Sequence, residues 1–148
     1  MITGHDFITL ADRWSKTPEP QGDESLWRTA IGRAYYGAFN LAFQWLMDDI
    51  GIFFPRGNNK HQWVQIVLKQ SGNSDAIRAS GLLGDLHDYR KNADYVLKIS
   101  DHGKQSLAQA SLGLANTITQ LLLQLGAGQK AQLKAEIQKY QRLVKQII

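Results

Sequence analysis

The chain has 148 residues and no cysteine, with 17 Lys/Arg against 13 Asp/Glu. That length makes one domain, large enough to bury about two thirds of the surface of the extended chain. The missing thiols exclude disulfides, cysteine-based zinc sites and thiol nucleophiles. The charge is uneven: residues 1–127 hold twelve basic and twelve acidic residues, so the net charge of +4 falls on residues 128–148. A neutral body argues against a broad nucleic-acid-binding surface.

No apolar run reaches the roughly 18 residues of a membrane span. The start, Met1-Ile2-Thr3-Gly4-His5-Asp6, lacks the basic and apolar segments of a signal peptide. A cytoplasmic protein with no membrane contact is expected. Three prolines and abundant Ala, Leu and Gln make the predicted class all-α.

Thr3 to Lys16 is predicted as a short first helix, with Thr3 and Asp6 at capping-box spacing and Phe7, Leu10, Ala11 and Trp14 on one face. Thr17-Pro18-Glu19-Pro20-Gln21-Gly22 ends it. A long second helix follows from about Asp23 to Ile50, entered by acidic residues and left at Gly51. Its face of Ala30, Ala34, Gly37, Ala38, Leu41 and Trp45 is unusually small-sided, so a neighbouring helix can approach closely.

A third helix is predicted from about Lys60 to Gln70 and a fourth from about Asp75 to Ile99. On the fourth, Leu83, Leu86, Arg90, Ala93 and Leu97 recur at steps of three and four, which puts Arg90 on the buried stripe. His87 precedes it by one turn and Asp94 follows by one, so an Arg90–Asp94 pair is sterically easy. The fifth helix, about Lys104 to Leu125, carries a core stripe of Leu107, Ser111, Leu114, Ile118, Leu121 and Leu125. After Gly126-Ala127-Gly128, a basic amphipathic helix over 128–148 shows Leu133, Ile137, Tyr140, Val144 and Ile147 in line. That stripe can dock on the bundle or on a second copy, and its Lys/Arg flanks can meet RNA or an acidic partner.

Two of these segments carry chemistry together: Arg28-Thr29-Ala30-Ile31-Gly32-Arg33-Ala34-Tyr35-Tyr36-Gly37-Ala38-Phe39 and Leu86-His87-Asp88-Tyr89-Arg90-Lys91-Asn92-Ala93-Asp94-Tyr95. Each places arginine among small and aromatic residues, and a buried cation needs a partner or a ligand because leaving it bare costs several kcal/mol. A site between the second and fourth helices follows. The tyrosines around it, Tyr35, Tyr36, Tyr89 and Tyr95, either fill space and satisfy charged neighbours or stack on a base. Four scattered histidines without paired acidic or cysteine ligands make no metal site, and no cofactor is expected. His61 and His102 fall outside the local helix, and His5 lies near the chain start.

The pattern Arg-x-Ala-Ile-Gly-Arg-Ala-Tyr-Tyr-Gly-Ala-Phe followed by Leu-x3-Arg-x2-Ala-Asp-Tyr resembles the HEPN domain. The stretch Asn59-Lys60-His61-Gln62-Trp63-Val64 is similar to the Lys-His segment that often opens the third helix of that family, and the resemblance spans roughly residues 5–127. It implies an up-and-down four-helix bundle, here with a short leading helix and an added basic C-terminal helix. It also implies a homodimer with the arginine clefts near the two-fold axis. Family ribonucleases pair an arginine that holds the scissile phosphate with a histidine five positions on that helps deprotonate the ribose 2′-hydroxyl, without metal. Here Arg90 and Asn92 match, but Tyr95 stands where that histidine would be, and a phenol with an ordinary pKa of about 10 is a poor base near neutrality.

The resemblance therefore implies a binding module with degenerate catalytic residues, of the kind found in toxin–antitoxin or defence-like systems. Its ligand would be RNA, a nucleotide or a nucleotidyltransferase partner that modifies a tyrosine such as Tyr95. Arg33, Tyr36, Arg90, Asp94 and Tyr95 would line the binding site. The alternatives are a metal-independent endoribonuclease using Arg90, Asn92, Tyr95 and His87, and a helical scaffold with no ligand. His87 is the local residue able to stand in for the missing base.

Overall fold

The computed structural model describes residues 2–18, 23–97 and 103–147, the side chains of 146 and 147 excepted. Among the described residues every regular element is helical: α1 Gly4–Ser15, α2 Glu24–Gln44, α3 Lys60–Lys69, α4 Ser74–Tyr95, α5 Gln105–Leu123 and α6 Ala127–Ile147. None of these helices is long and apolar enough to cross a membrane.

Local chemistry sets most of the helix starts. Thr3 and Asp6 form the expected capping box: the Asp6 amide donates to Thr3 Oγ1 at 3.3 Å and the Thr3 amide to Asp6 Oδ2 at 2.6 Å. Asp23 accepts from the Leu26 amide at 2.9 Å, Asn59 from Gln62 at 3.1 Å, and Asn73 from Asp75 and Ala76, both at 3.0 Å. Each cap satisfies amides that have no carbonyl partner in the first turn and stabilises the helix by about 1 kcal/mol.

α2 lies at the centre and packs against α1, α3, α4 and α5, while α4 also packs on α3 and α5. The small-sided face of α2 does what the sequence suggests. A Cβ on Gly37 would come within 2.7 Å of Ile8 Cγ1 and 2.8 Å of the Gly4 carbonyl, so the α1 and α2 backbones nearly touch. On the α4 side, Asp94 Oδ1 is 3.7 Å from where a Cβ on Gly32 would stand, an ordinary contact distance.

Two helix ends and one buried stripe differ from expectation. The second helix does not stay α-helical to Ile50: it widens into a π-helical turn over Trp45–Ile50 and ends at Gly51, whose φ of 81° only glycine adopts cheaply. The wider turn carries Trp45, Leu46 and Ile50 into the core. α4 stops at Tyr95; Ile99 and His102 lie outside the described residues. On α5 the buried stripe runs through Ala108, Ser111, Leu112, Ala115, Ile118, Leu121 and Leu122, with Leu107 and Leu114 only half-buried. Small residues win that face because α2 and α4 press close against it.

α6 starts at Ala127, Gln129 accepting from the Gly126 amide at 3.0 Å. Its first half docks on the bundle: Leu133 and Ile137 are fully buried and join the main core. Of the remaining predicted stripe, Tyr140 and Val144 border a groove against α3, and the Ile147 side chain lies outside the described residues.

Candidate functional site

Arg90 projects from α4 toward α2. Its guanidinium lies 4.9 Å from the centroid of the Tyr36 ring and 5.4 Å from that of Tyr95, so the cation is flanked by two aromatic faces. Nη2 donates to the Tyr36 hydroxyl at 2.6 Å and, more weakly, to that of Tyr95 at 3.4 Å. Nε approaches Asp94 Oδ2 at 2.9 Å as an ion pair, although its N–H is not aligned for a hydrogen bond. These contacts occupy Nε and Nη2 and leave Nη1. Burial works against the Arg90 charge, but Tyr36, Asp94 and Tyr95 outweigh it and raise its pKa above the ordinary value.

Beside this cation stand two imidazoles. His61, in the first turn of α3, stacks on Phe39 with centroids 4.2 Å apart, and its Nδ1 shares a short hydrogen bond with the Tyr35 hydroxyl. His87, on α4, lies 5.1 Å from the Tyr35 ring and 5.9 Å from His61. Both histidines are half-buried, whereas Tyr35 is fully buried. Burial pushes the Tyr35 phenol well above its usual range, against the opposing charge of Arg90.

Burial also lowers the pKa of both imidazoles. For His61 the charges of His87, Arg90 and Lys60 add to that effect. For His87, Lys91 and Arg90 add to it while Asp88 opposes. The region where α2, α3 and α4 meet thus holds a permanent cation together with two imidazoles whose charged forms are disfavoured.

The structure places Arg90 against Tyr36, Asp94 and Tyr95, while His87, one turn earlier on α4, lies against Tyr35 and His61. Arg33 is not part of that cluster: its guanidinium stacks over Phe7 of α1 at 5.5 Å. Asn92 is not among the Arg90 contacts either, and its carbonyl instead accepts from Arg28 at 3.4 Å.

Two residues escaped the sequence reading. His61, set aside as lying beyond the local helix, is brought in by α3. Its signals in the sequence were its place in the Lys60-His61 pair of the family-like segment and its position just after the Asn59 cap, and neither showed that it meets α2 and α4. Arg28, only 7% exposed, is the most buried cation described; it donates to the carbonyls of Ala93 at 3.0 Å and Leu97 at 3.2 Å and pairs with Glu24. It ties α2 to the C-terminal end of α4, where unpaired carbonyls favour a cation.

Two grooves lie elsewhere. One, of about 590 Å³, separates α6 from α3 and the segment after the π-helical turn; the other, of about 660 Å³, lies between α1 and the end of α2. Neither is lined by Arg90, His61 or His87. Among the described residues no group of three or more His, Cys, Asp or Glu is placed to hold a metal ion. Compared with known proteins, the chain matches no family model, no curated protein and no solved structure.

Proposed function

We propose that this chain is a HEPN-type helical protein that binds single-stranded RNA at the Arg90 cleft, the guanidinium taking a phosphate and the flanking tyrosines stacking on bases. One observation carries this reading: a cation held between two aromatic rings, its Nη1 left over, beside two neutral imidazoles. A guanidinium matches a phosphate with paired hydrogen bonds. Aromatic side chains bind bases with little regard to sequence. The cationic face of α6 adds long-range attraction on an otherwise neutral body.

A second reading rests on Tyr95, which is 70% exposed. A nucleotidyltransferase partner would have free access to that hydroxyl, and covalent modification there would place a nucleotide against Arg90. Tyr95, Val96 and Leu97 together form an exposed patch at the end of α4, and homodimerisation through it belongs to the same proposal.

Fluorescence anisotropy with a labelled 12-nucleotide RNA tests the first reading. Arg90→Ala is expected to weaken binding at least about tenfold, the loss of one charge-assisted phosphate contact. Affinity should also fall with added salt. Equal affinity for the wild type and the variant, or no binding by either, overturns it.

A further inference from the structure

We infer that the groove between α3 and α6 is a docking site for an acidic, extended peptide segment of a partner protein. Its lining includes no residue of the Arg90 cleft, so it stands independently of the RNA reading.

The walls of the groove are already in place. The chain leaving the π-helical turn is held by the Ile52 amide, which donates to the Leu46 carbonyl at 2.9 Å, and by the Phe54 amide, which donates to Met47 Sδ at 3.3 Å. Phe54 packs edge to face with Trp63 of α3, ring centroids 5.4 Å apart. Across the groove α6 contributes Tyr140 and Val144, and it is anchored on the bundle through the buried Leu133 and Ile137. Phe53 lines the same groove and is 77% exposed. The volume of about 590 Å³ falls within the roughly 300–1,000 Å³ of ligand-binding clefts. A groove that needs no reordering avoids part of the entropy cost of binding.

Charge identifies the occupant. Residues 51–67 and 138–145, the two stretches that line the groove, contain Arg56, Lys60, Lys139, Arg142 and Lys145 and no carboxylate. Lys60 Nζ lies 5.9 Å from the centroid of the Phe54 ring, and Lys145 is itself a lining residue. At the Gly51 end, Lys134 Nζ is 3.3 Å from where a Cβ on that glycine would stand. The single carboxylate of α6, Glu136, packs against Gly72 and is not part of the lining. Cations gathered around an apolar groove without acidic partners attract carboxylates and repel basic segments.

The polar lining sets the conformation of the peptide. Gln62, Gln138 and Gln141 line the groove, and their amides have no hydrogen-bond partner among the described residues. A carboxamide both donates and accepts, which matches the unpaired N–H and C=O groups of an extended backbone. A helical ligand would pair those groups internally. The aliphatic lining of Ile52, Ile66 and Val144 suits side chains such as Leu or Val. A phosphodiester backbone, which the same cations would attract, has no such groups to bury.

Panning a phage-displayed library of random 12-residue peptides against the full chain tests the proposal. Enriched sequences are expected to carry a net negative charge together with Leu, Ile, Val or Phe. A fluorescein-labelled synthetic copy of the most enriched peptide should lose at least about fivefold in affinity for Val144→Glu and for Lys145→Glu. It should bind Arg90→Ala as tightly as wild type. Lys145 is exposed, so Lys145→Glu keeps the test open where Val144→Glu unsettles α6, and thermal melts check the fold of each variant. No enrichment, enrichment of neutral or basic sequences, or unchanged affinity in Lys145→Glu overturns the proposal. Two other occupants would overturn it as well. One is RNA, shown by a 12-nucleotide strand displacing the peptide from wild type and Arg90→Ala alike. The other is a second copy of this chain, shown by a sedimenting dimer that Val144→Glu converts to a folded monomer.

Discussion

The guanidinium of Arg28 closes on the carbonyl of Ala93 at 3.0 Å, so a residue from the first turns of α2 holds the last turn of α4. Ala93 lies between Asn92 and Asp94, and the same turn carries Arg90. The arginine that anchors α4 and the arginine proposed to meet RNA are therefore two different residues with separable effects.

Replacing Arg28 by alanine strands several helix-end carbonyls and empties a buried site. The expected loss of stability is about 3 kcal/mol, with a fall in melting temperature on the order of 10 °C. Thermal melts followed by circular dichroism measure it. An unchanged melting temperature would show that the last turn of α4 holds itself.

If Arg90 takes an RNA phosphate as proposed, Asp94, which pairs with its Nε, competes for the same cation. The pair is partly exposed, with side-chain exposures of 15% for Arg90 and 34% for Asp94, so its strength is modest, up to about 1 kcal/mol. Asp94→Asn should tighten RNA binding by about two- to fivefold at low salt. A weaker or unchanged affinity would mean that Asp94 positions Arg90 more than it shields it.

The two imidazoles also make stability depend on pH. Their native pKa values lie below the ordinary 6.5, so the unfolded chain binds these protons more readily than the native one. Their contribution is complete above pH 6.5 and is lost as pH falls through 6.5 toward the depressed native values. Urea unfolding at pH 7.5 and pH 5 should show the wild type losing more stability than the His61→Gln, His87→Gln double variant. Equal losses would place the pH sensitivity elsewhere.

At the far side of the bundle, Ile137 is fully buried. Ile137→Ala should cost about 3 kcal/mol if α6 is an integral layer. A loss under about 0.5 kcal/mol would mean that α6 leaves its seat readily in solution.

What was legible in the sequence was mostly what is local in the fold. The Thr3–Asp6 capping box, the start of α3 behind Asn59 and the Arg90–Asp94 pair all depend on residues three or four apart. The approach of α2 to α4 was also legible, because small residues on one face and a cation on the facing stripe constrain each other. His61 was not, since its importance depends on α3 crossing near both α2 and α4, a relation with no short-range signature. Arg28 was hidden for a similar reason: its partners, the carbonyls of 92, 93 and 97, carry no side-chain information. The π-helical turn at Trp45–Ile50 has no proline or glycine within it to announce it. On α5, Ser111, Ile118 and Leu121 are buried as expected, but close neighbours select Ala108 and Ala115 over the bulkier Leu107 and Leu114.

The contact between Gly4 and Gly37 has a bearing on the cleft that is easily overlooked. Tyr36 is joined covalently to Gly37, and an extra methyl at that crossing would meet Ile8 and the Gly4 carbonyl at under 3 Å, forcing α1 and α2 apart. α2, which presents Tyr35 and Tyr36, would tilt like a lever about the crossing. A substitution on the back of the molecule would then misalign the aromatic wall of the cleft without altering any residue inside it.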